Sequence, residues 1–213
     1  RTPANRAPEV IHVLACVFDR NNTRQFFAHL MKSELPPGEV LKIHICNNKA
    51  DRQTELEAMA KDLQQAGDSS KLSMTIHKMD SNERGFSRFL LARELMQKEF
   101  MAYVIMVDDD QFVKPSTIAD IYAQRQPLGY KTWFGKNWAP GPDYWHPSAP
   151  KPLIDPIERF SLSRNVTTYQ YGGTGMSIVD ASIFQMRELY EIEGKYRYCE
   201  DMWLSYLVHA AEW

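Results

Sequence analysis

Cysteine is scarce in this chain, and its copies follow no pattern. Cys16, Cys46 and Cys199 are odd in number and far apart, which excludes a disulfide scaffold, and no paired Cys/His spacing suggests zinc. Buried free thiols are the expectation. Long hydrophobic runs are also missing. No stretch approaches the roughly 20 apolar residues that span a bilayer, so no membrane span is expected in this segment. Neither sign of charge is in excess: 25 Lys and Arg against 27 Asp and Glu leave a net charge of -2, which argues against a nucleic-acid or other general polyanion partner. Residues 1–8 are polar and contain proline, with no secretory h-region. The sequons Asn21-Asn22-Thr23 and Asn165-Val166-Thr167 are therefore read as chance matches, and a cytoplasmic location is expected. The chain opens on Arg1 and stops at Trp213 inside a helical pattern, so it is expected to be an excerpt of a longer one.

What is present is an ordinary globular composition, 44% hydrophobic and 24% charged over 213 residues. That is enough chain for one sizeable α/β domain. Residues 10–18 form an apolar run that reads as a buried strand, and Thr23 is placed to cap a helix over 24–31. A second strand covers 40–46. A helix with Leu56, Met59 and Leu63 on one face covers 51–65 and is stopped by Gly67. Residues 72–77 alternate as a third strand should. A helix over 87–100 and a fourth strand over 103–107 follow. This β-α order predicts a mostly parallel central sheet with helices on both faces, and ligands in such sheets bind beyond the carboxyl ends of the strands. Beyond Pro127 the texture becomes proline-rich and aromatic, with Trp133, Trp138, Tyr144 and Trp145 interleaved. A strand over 169–179, a helix over 180–190 and a last amphipathic helix after Glu200-Asp201 complete the reading.

Directly behind the fourth strand stands Asp108-Asp109-Asp110. Clustered carboxylates repel one another and call for a cation. In extended chain Asp108 and Asp110 point to one side, the geometry for gripping one hard divalent ion through oxygen ligands. Asp110 is the first choice as metal ligand and Asp108 the second, while Asp109 is read as a structural residue or a ribose contact. Such an ion, Mn2+ or Mg2+, would stabilise a departing nucleoside diphosphate when a sugar is transferred. A nucleotidyltransferase would want a glycine-rich turn after the first strand, but Asp19-Arg20-Asn21-Asn22 has no glycine. A haloacid-type phosphatase would carry its Asp-x-Asp after an early strand, not mid-chain.

This order of motifs resembles the GT-A glycosyltransferases, especially the family-two-like members, over nearly the whole chain. The resemblance implies one catalytic domain over 1–213, with a nucleotide-binding half (1–110) and an acceptor-binding half (111–213). It places the base at Ala15, Val17, Asp19 and Arg20, with Asn47 or Asn48 reading the uracil edge. Arg93 of Ala92-Arg93-Glu94 takes the family's arginine position, and Arg88 competes for the same role. Asp108 and Asp109 would contact the nucleotide sugar, as would Gly173 in the glycine-rich Gly172-Gly173-Thr174-Gly175. Glu200-Asp201 matches the family's acidic pair at a helix start, with Asp201 the general base of an inverting transfer and Glu200 its alternate. Trp138, Trp145 and His146 would face the acceptor, a glycan or glycoprotein hydroxyl, and the donor would be a UDP-sugar. His209 is the one candidate for a histidine metal ligand near the carboxyl end, and a helix-surface or core role is preferred for it. Within the superfamily the chain resembles amino-terminal domains of chlorella-virus-encoded glycosyltransferases, which implies a host-cytoplasm enzyme building capsid glycans. A retaining transferase and a non-catalytic sugar-binding module remain as alternatives.

Overall fold

A computed structural model describes residues 9–66, 70–136 and 171–213. The expected β-α repeat is observed. Strands β1 (Val10–Val17), β2 (Val40–Asn47), β3 (Leu72–Lys78) and β4 (Tyr103–Asp108) are all parallel. They are joined through helices α1 (Thr23–Leu30), α2 (Gln53–Ala66) and α3 (Ser87–Met96). Next come α4 (Thr117–Ala123), which the sequence reading missed, and two short strands, β5 (Tyr130–Thr132) and β6 (Gly135–Lys136). Strands β7 (Tyr171–Gly172) and β8 (Met176–Asp180) follow, and α5 (Glu200–Ala210) closes the described chain.

The main sheet runs β3-β2-β1-β4-β8-β5, and β6 pairs with β7 separately. Strand β8 is antiparallel to both of its neighbours. Its reversed direction brings its first residue, not its last, to the carboxyl end of β4. Strand order reverses between β1 and β4, where Cys16 stands opposite Asp108. In parallel sheets that reversal opens the crevice in which ligands sit.

The sheet is covered on both sides, and strand parity assigns the faces. Ile11, Val13, Ala15 and Val17 of β1 join Ile43, Ile45, Phe26, Phe27, Leu56 and Ile118 in one core. Leu14, Cys46, Met106 and Val179 join Phe86, Phe89, Phe184 and Leu204 in the other. The first core lies under α1, α2 and α4, and the second lies under α3 and α5. All three cysteines are free thiols.

Four readings differ from expectation. The single strand expected over 169–179 is, among the described residues, two: β7, paired with β6, and β8 of the main sheet. Thr23 is the first helical residue rather than a cap: its hydroxyl donates to the Arg20 carbonyl at 2.7 Å and closes the turn that presents Arg20. The helix expected to reach residue 100 ends at Met96. The helix expected over 180–190 is instead two 3-10 turns, Ala181–Gln185 and Arg187–Tyr190, separated by Met186 in extended conformation. Its buried residues, Ile183, Phe184 and Leu189, are not at helical spacing. Gly67, read as a helix stop, lies outside the described residues.

Candidate functional site

Arg88 is the centre of the site. It sits in the first turns of α3 with 2% of its surface exposed, an expensive place for a cation unless carboxylates surround it. Its Nη1 donates to Asp108 Oδ1 at 2.7 Å, and its Nη2 donates to Thr174 Oγ1 at 2.8 Å and to Glu200 Oε1 at 3.2 Å. Burial works against the charge, but Asp108, Cys16 and Glu200 more than offset it and raise the pKa further above the usual arginine range. One side chain thus joins the end of β4, the approach to β8 and the first turn of α5.

Two glycines make this junction possible. A Cβ on Gly85 would lie 1.8 Å from Glu200 Oε1, and one on Gly175 would lie 2.3 Å from Asp108 Oδ2. Both carboxylates therefore rest on bare backbone. Burial raises the Glu200 pKa, with Arg88 pulling the other way. The neighbouring Asp201 accepts the Met202 amide at 2.8 Å through Oδ1.

The aspartate triplet divides differently from expectation. Strand β4 ends at Asp108, and the Gln111 amide bonds the Asp108 carbonyl at 3.1 Å. The chain therefore turns at residues 109–110, and the alternation that would align Asp108 with Asp110 does not continue. Asp108 faces Arg88, whereas Asp109 and Asp110 share Arg20, at 2.7 and 3.2 Å. Burial raises the Asp109 pKa and Arg20 counteracts it. Arg20 is half exposed, so a solvent-accessible guanidinium stands where a divalent cation would find two carboxylates already converging. The all-oxygen donor set suits magnesium or manganese.

The other expected residues are placed as follows. Asp19 is an exposed carboxylate that accepts from Lys49 Nζ at 2.6 Å, and this bond lowers its pKa. Ala15 and Val17 are buried among the first core, so only their backbone can meet a ligand. Asn47 is fully buried and its amide is engaged: Nδ2 donates to Gln53 at 2.9 Å, and Oδ1 accepts the Lys49 amide at 3.0 Å. Asn48 is engaged likewise, by Arg84 and Ser87. These amides lock the β2 turn. Arg93 is away from the triplet, its guanidinium 4.4 Å from the centre of the Tyr190 ring; of the two competing arginines, Arg88 reaches Asp108. Gly173 donates its amide to the Phe134 carbonyl and accepts at its own carbonyl from the Thr132 hydroxyl, and the glycine against Asp108 is Gly175. His209 is exposed in the last turn of α5. Trp138, Trp145 and His146 lie outside the described residues. Gly85 and Thr174 were not expected at the site, although Thr174 stands inside the glycine-rich segment 172–175.

No protein-family model matches the chain, and no curated protein matches it. Solved structures do. The chain superposes on S. aureus TarS 1-349 with a TM-score of 0.54 and 13% identity, covering 94% of this chain and 55% of that one. It superposes on the Pyrobaculum calidifontis mannosyltransferase PcManGT, in complex with GDP-Man and Mn2+, with a TM-score of 0.53 and 11% identity, covering 87% and 46%. For the glycosyltransferase GlyE of Streptococcus pneumoniae TIGR4 the values are 0.50, 13%, 93% and 43%. TarS 1-349 also exists in complex with UDP-GlcNAc. The chain spans about half the length of the structures it matches. These likenesses establish its fold, the α/β architecture of those glycosyltransferases.

Proposed function

We propose that this domain is a metal-dependent glycosyltransferase of the GT-A class, moving a sugar from a UDP-sugar to a glycan hydroxyl with inversion. The observation that carries the proposal is the convergence of Asp108, Asp109 and Asp110 with two arginines at the sheet's switch point, in the fold of known glycosyltransferases. Asp110, with Asp109 beside it on Arg20, would hold Mn2+ or Mg2+, which when bound stabilises charge on the diphosphate, and Asp108 would brace the site through Arg88. Arg20 would leave the aspartates for the phosphates, where its fork of donors is well matched. Asp19 would read the base edge, since the Asn47 side chain is buried and bonded within the β2 turn, and Lys49 beside it would set its orientation. Arg88 would hold Asp108 and Glu200 in place. Asp201 would take the proton from the acceptor hydroxyl, with Glu200 as alternate. Trp138, Trp145 and His146 are the proposed acceptor contacts.

The resemblance to chlorella-virus enzymes extends the proposal to capsid-protein glycosylation in a host cytoplasm. Calorimetry with UDP, with and without manganese, tests the core of it. The expected result is metal-dependent binding that Asp110→Ala abolishes, while Asp201→Asn keeps donor binding and lowers transfer by about 10²–10⁴. Nucleotide binding indifferent to manganese would favour a sugar-binding module. Product anomer analysis separates inversion from retention.

A further inference from the structure

We propose that His12, His44 and Glu99 form a second cation site, selective for a divalent transition metal of the zinc class, remote from the aspartates. No sequence spacing announces it, because the register of β1 and β2 assembles it. Leu14 stands opposite His44 and His12 opposite Lys42, so the two histidines project from the same face, that of Leu14 and Cys46. His12 lies four residues before Cys16, the partner of Asp108, which separates it from the triplet by about 13 Å of strand.

The donors are already gathered. One nitrogen each from His12 and His44 and one oxygen from Glu99 lie within 4.8 Å of one another. His12 Nδ1 is 3.3 Å from His44 Nε2, close to the ~3.4 Å edge of a tetrahedron built with zinc–nitrogen bonds of about 2.1 Å. On its far side His44 Nδ1 is 3.2 Å from His77 Nε2. A proton on His44 Nδ1 donated to His77 leaves the Nε2 lone pair facing His12, which is how an outer partner fixes the tautomer of a ligating histidine.

Both rings are buried, with 1% of His12 and 5% of His44 exposed. Glu99 already attracts a cation, the Lys42 ammonium. That pair is the outer wall of the site: Lys42 is 38% and Glu99 24% exposed, so the lysine can swing into water as an ion enters. Two imidazoles and one carboxylate favour zinc, nickel or copper over magnesium. Filled, the site would staple β1 and β2 to the segment that follows α3.

Calorimetry and thermal denaturation of the chelator-treated protein with ZnCl2 test the site, using the Asp110→Ala variant to remove the donor-site ligand. One zinc per chain is expected in that background, with a rise in Tm and, for CoCl2, a tetrahedral absorption band. Adding Glu99→Gln should weaken zinc binding at least tenfold, and His44→Gln should abolish it. Absence of stoichiometric zinc binding, or binding unchanged by Glu99→Gln, overturns the proposal. Should His44→Gln fail to fold, the partly exposed Glu99 decides alone.

Discussion

The two polar clusters of this sheet solve the same problem in opposite ways. At the carboxyl end, the carboxylates of Asp108, Asp109, Asp110 and Glu200 are matched by the guanidinium groups of Arg88 and Arg20. On the α3 face, His12, His44 and His77 bond ring to ring, and burial lowers the pKa of each. The charged cluster reaches solvent through Arg20 and Asp110, where ligands arrive, while His12 and His44 are sunk into the sheet. The comparison teaches that charge pairing holds a site ready for exchange of partners, whereas neutral hydrogen bonding serves to join strands.

Breaking the charged cluster should have the largest effect. Arg88→Met leaves Asp108 and Glu200 facing each other without a cation, and a loss of about 3–5 kcal/mol in urea denaturation is expected, together with loss of UDP binding. Gly85→Ala comes next. Its new methyl group must displace Glu200, for a cost of about 1–3 kcal/mol, and Gly175→Ala should do the same to Asp108. Both should be folded but defective in metal-dependent UDP binding.

The neutral cluster is broken with acid. The folded pKa values of His12 and His44 lie below the ordinary 6.5, so the unfolded chain takes up protons first. Stability is therefore full above about pH 6.5 and falls as the pH drops toward 4, with a slope of up to ~1.4 kcal/mol per pH unit for each histidine. Urea midpoints measured across that range in the presence of chelator should show the decline, and His77→Gln should remove only the part that the buried His77 ring contributes. Least affected should be Arg93→Ala. It loses a ring contact worth about 0.5–1 kcal/mol, and UDP binding should be unchanged.

The parallel half of the fold was legible because apolar runs and helical spacing coincide there with local propensity. Strands 10–17, 40–47, 72–78 and 103–108 fall within a residue or two of their expected positions. The second half was less so. Strands β5 and β6 have three and two residues, too short for any period to register. The aspartate triplet was legible as a cluster but not in its pairing, which depends on where β4 stops. Arg88 and Arg93 could not be ranked from spacing, since the choice rests on which face of α3 meets β4. The histidine row was invisible, because strand register alone makes neighbours of His12, His44 and His77.

Gly85 and Gly175 also set a limit on engineering. Replacing glycines to stiffen the unfolded chain is an ordinary route to thermostability, and Gly194, with no described atom within 4 Å of an added Cβ, is open to it. At 85 and 175 the empty volume is where two carboxylates lie, and filling it would trade chemistry for rigidity.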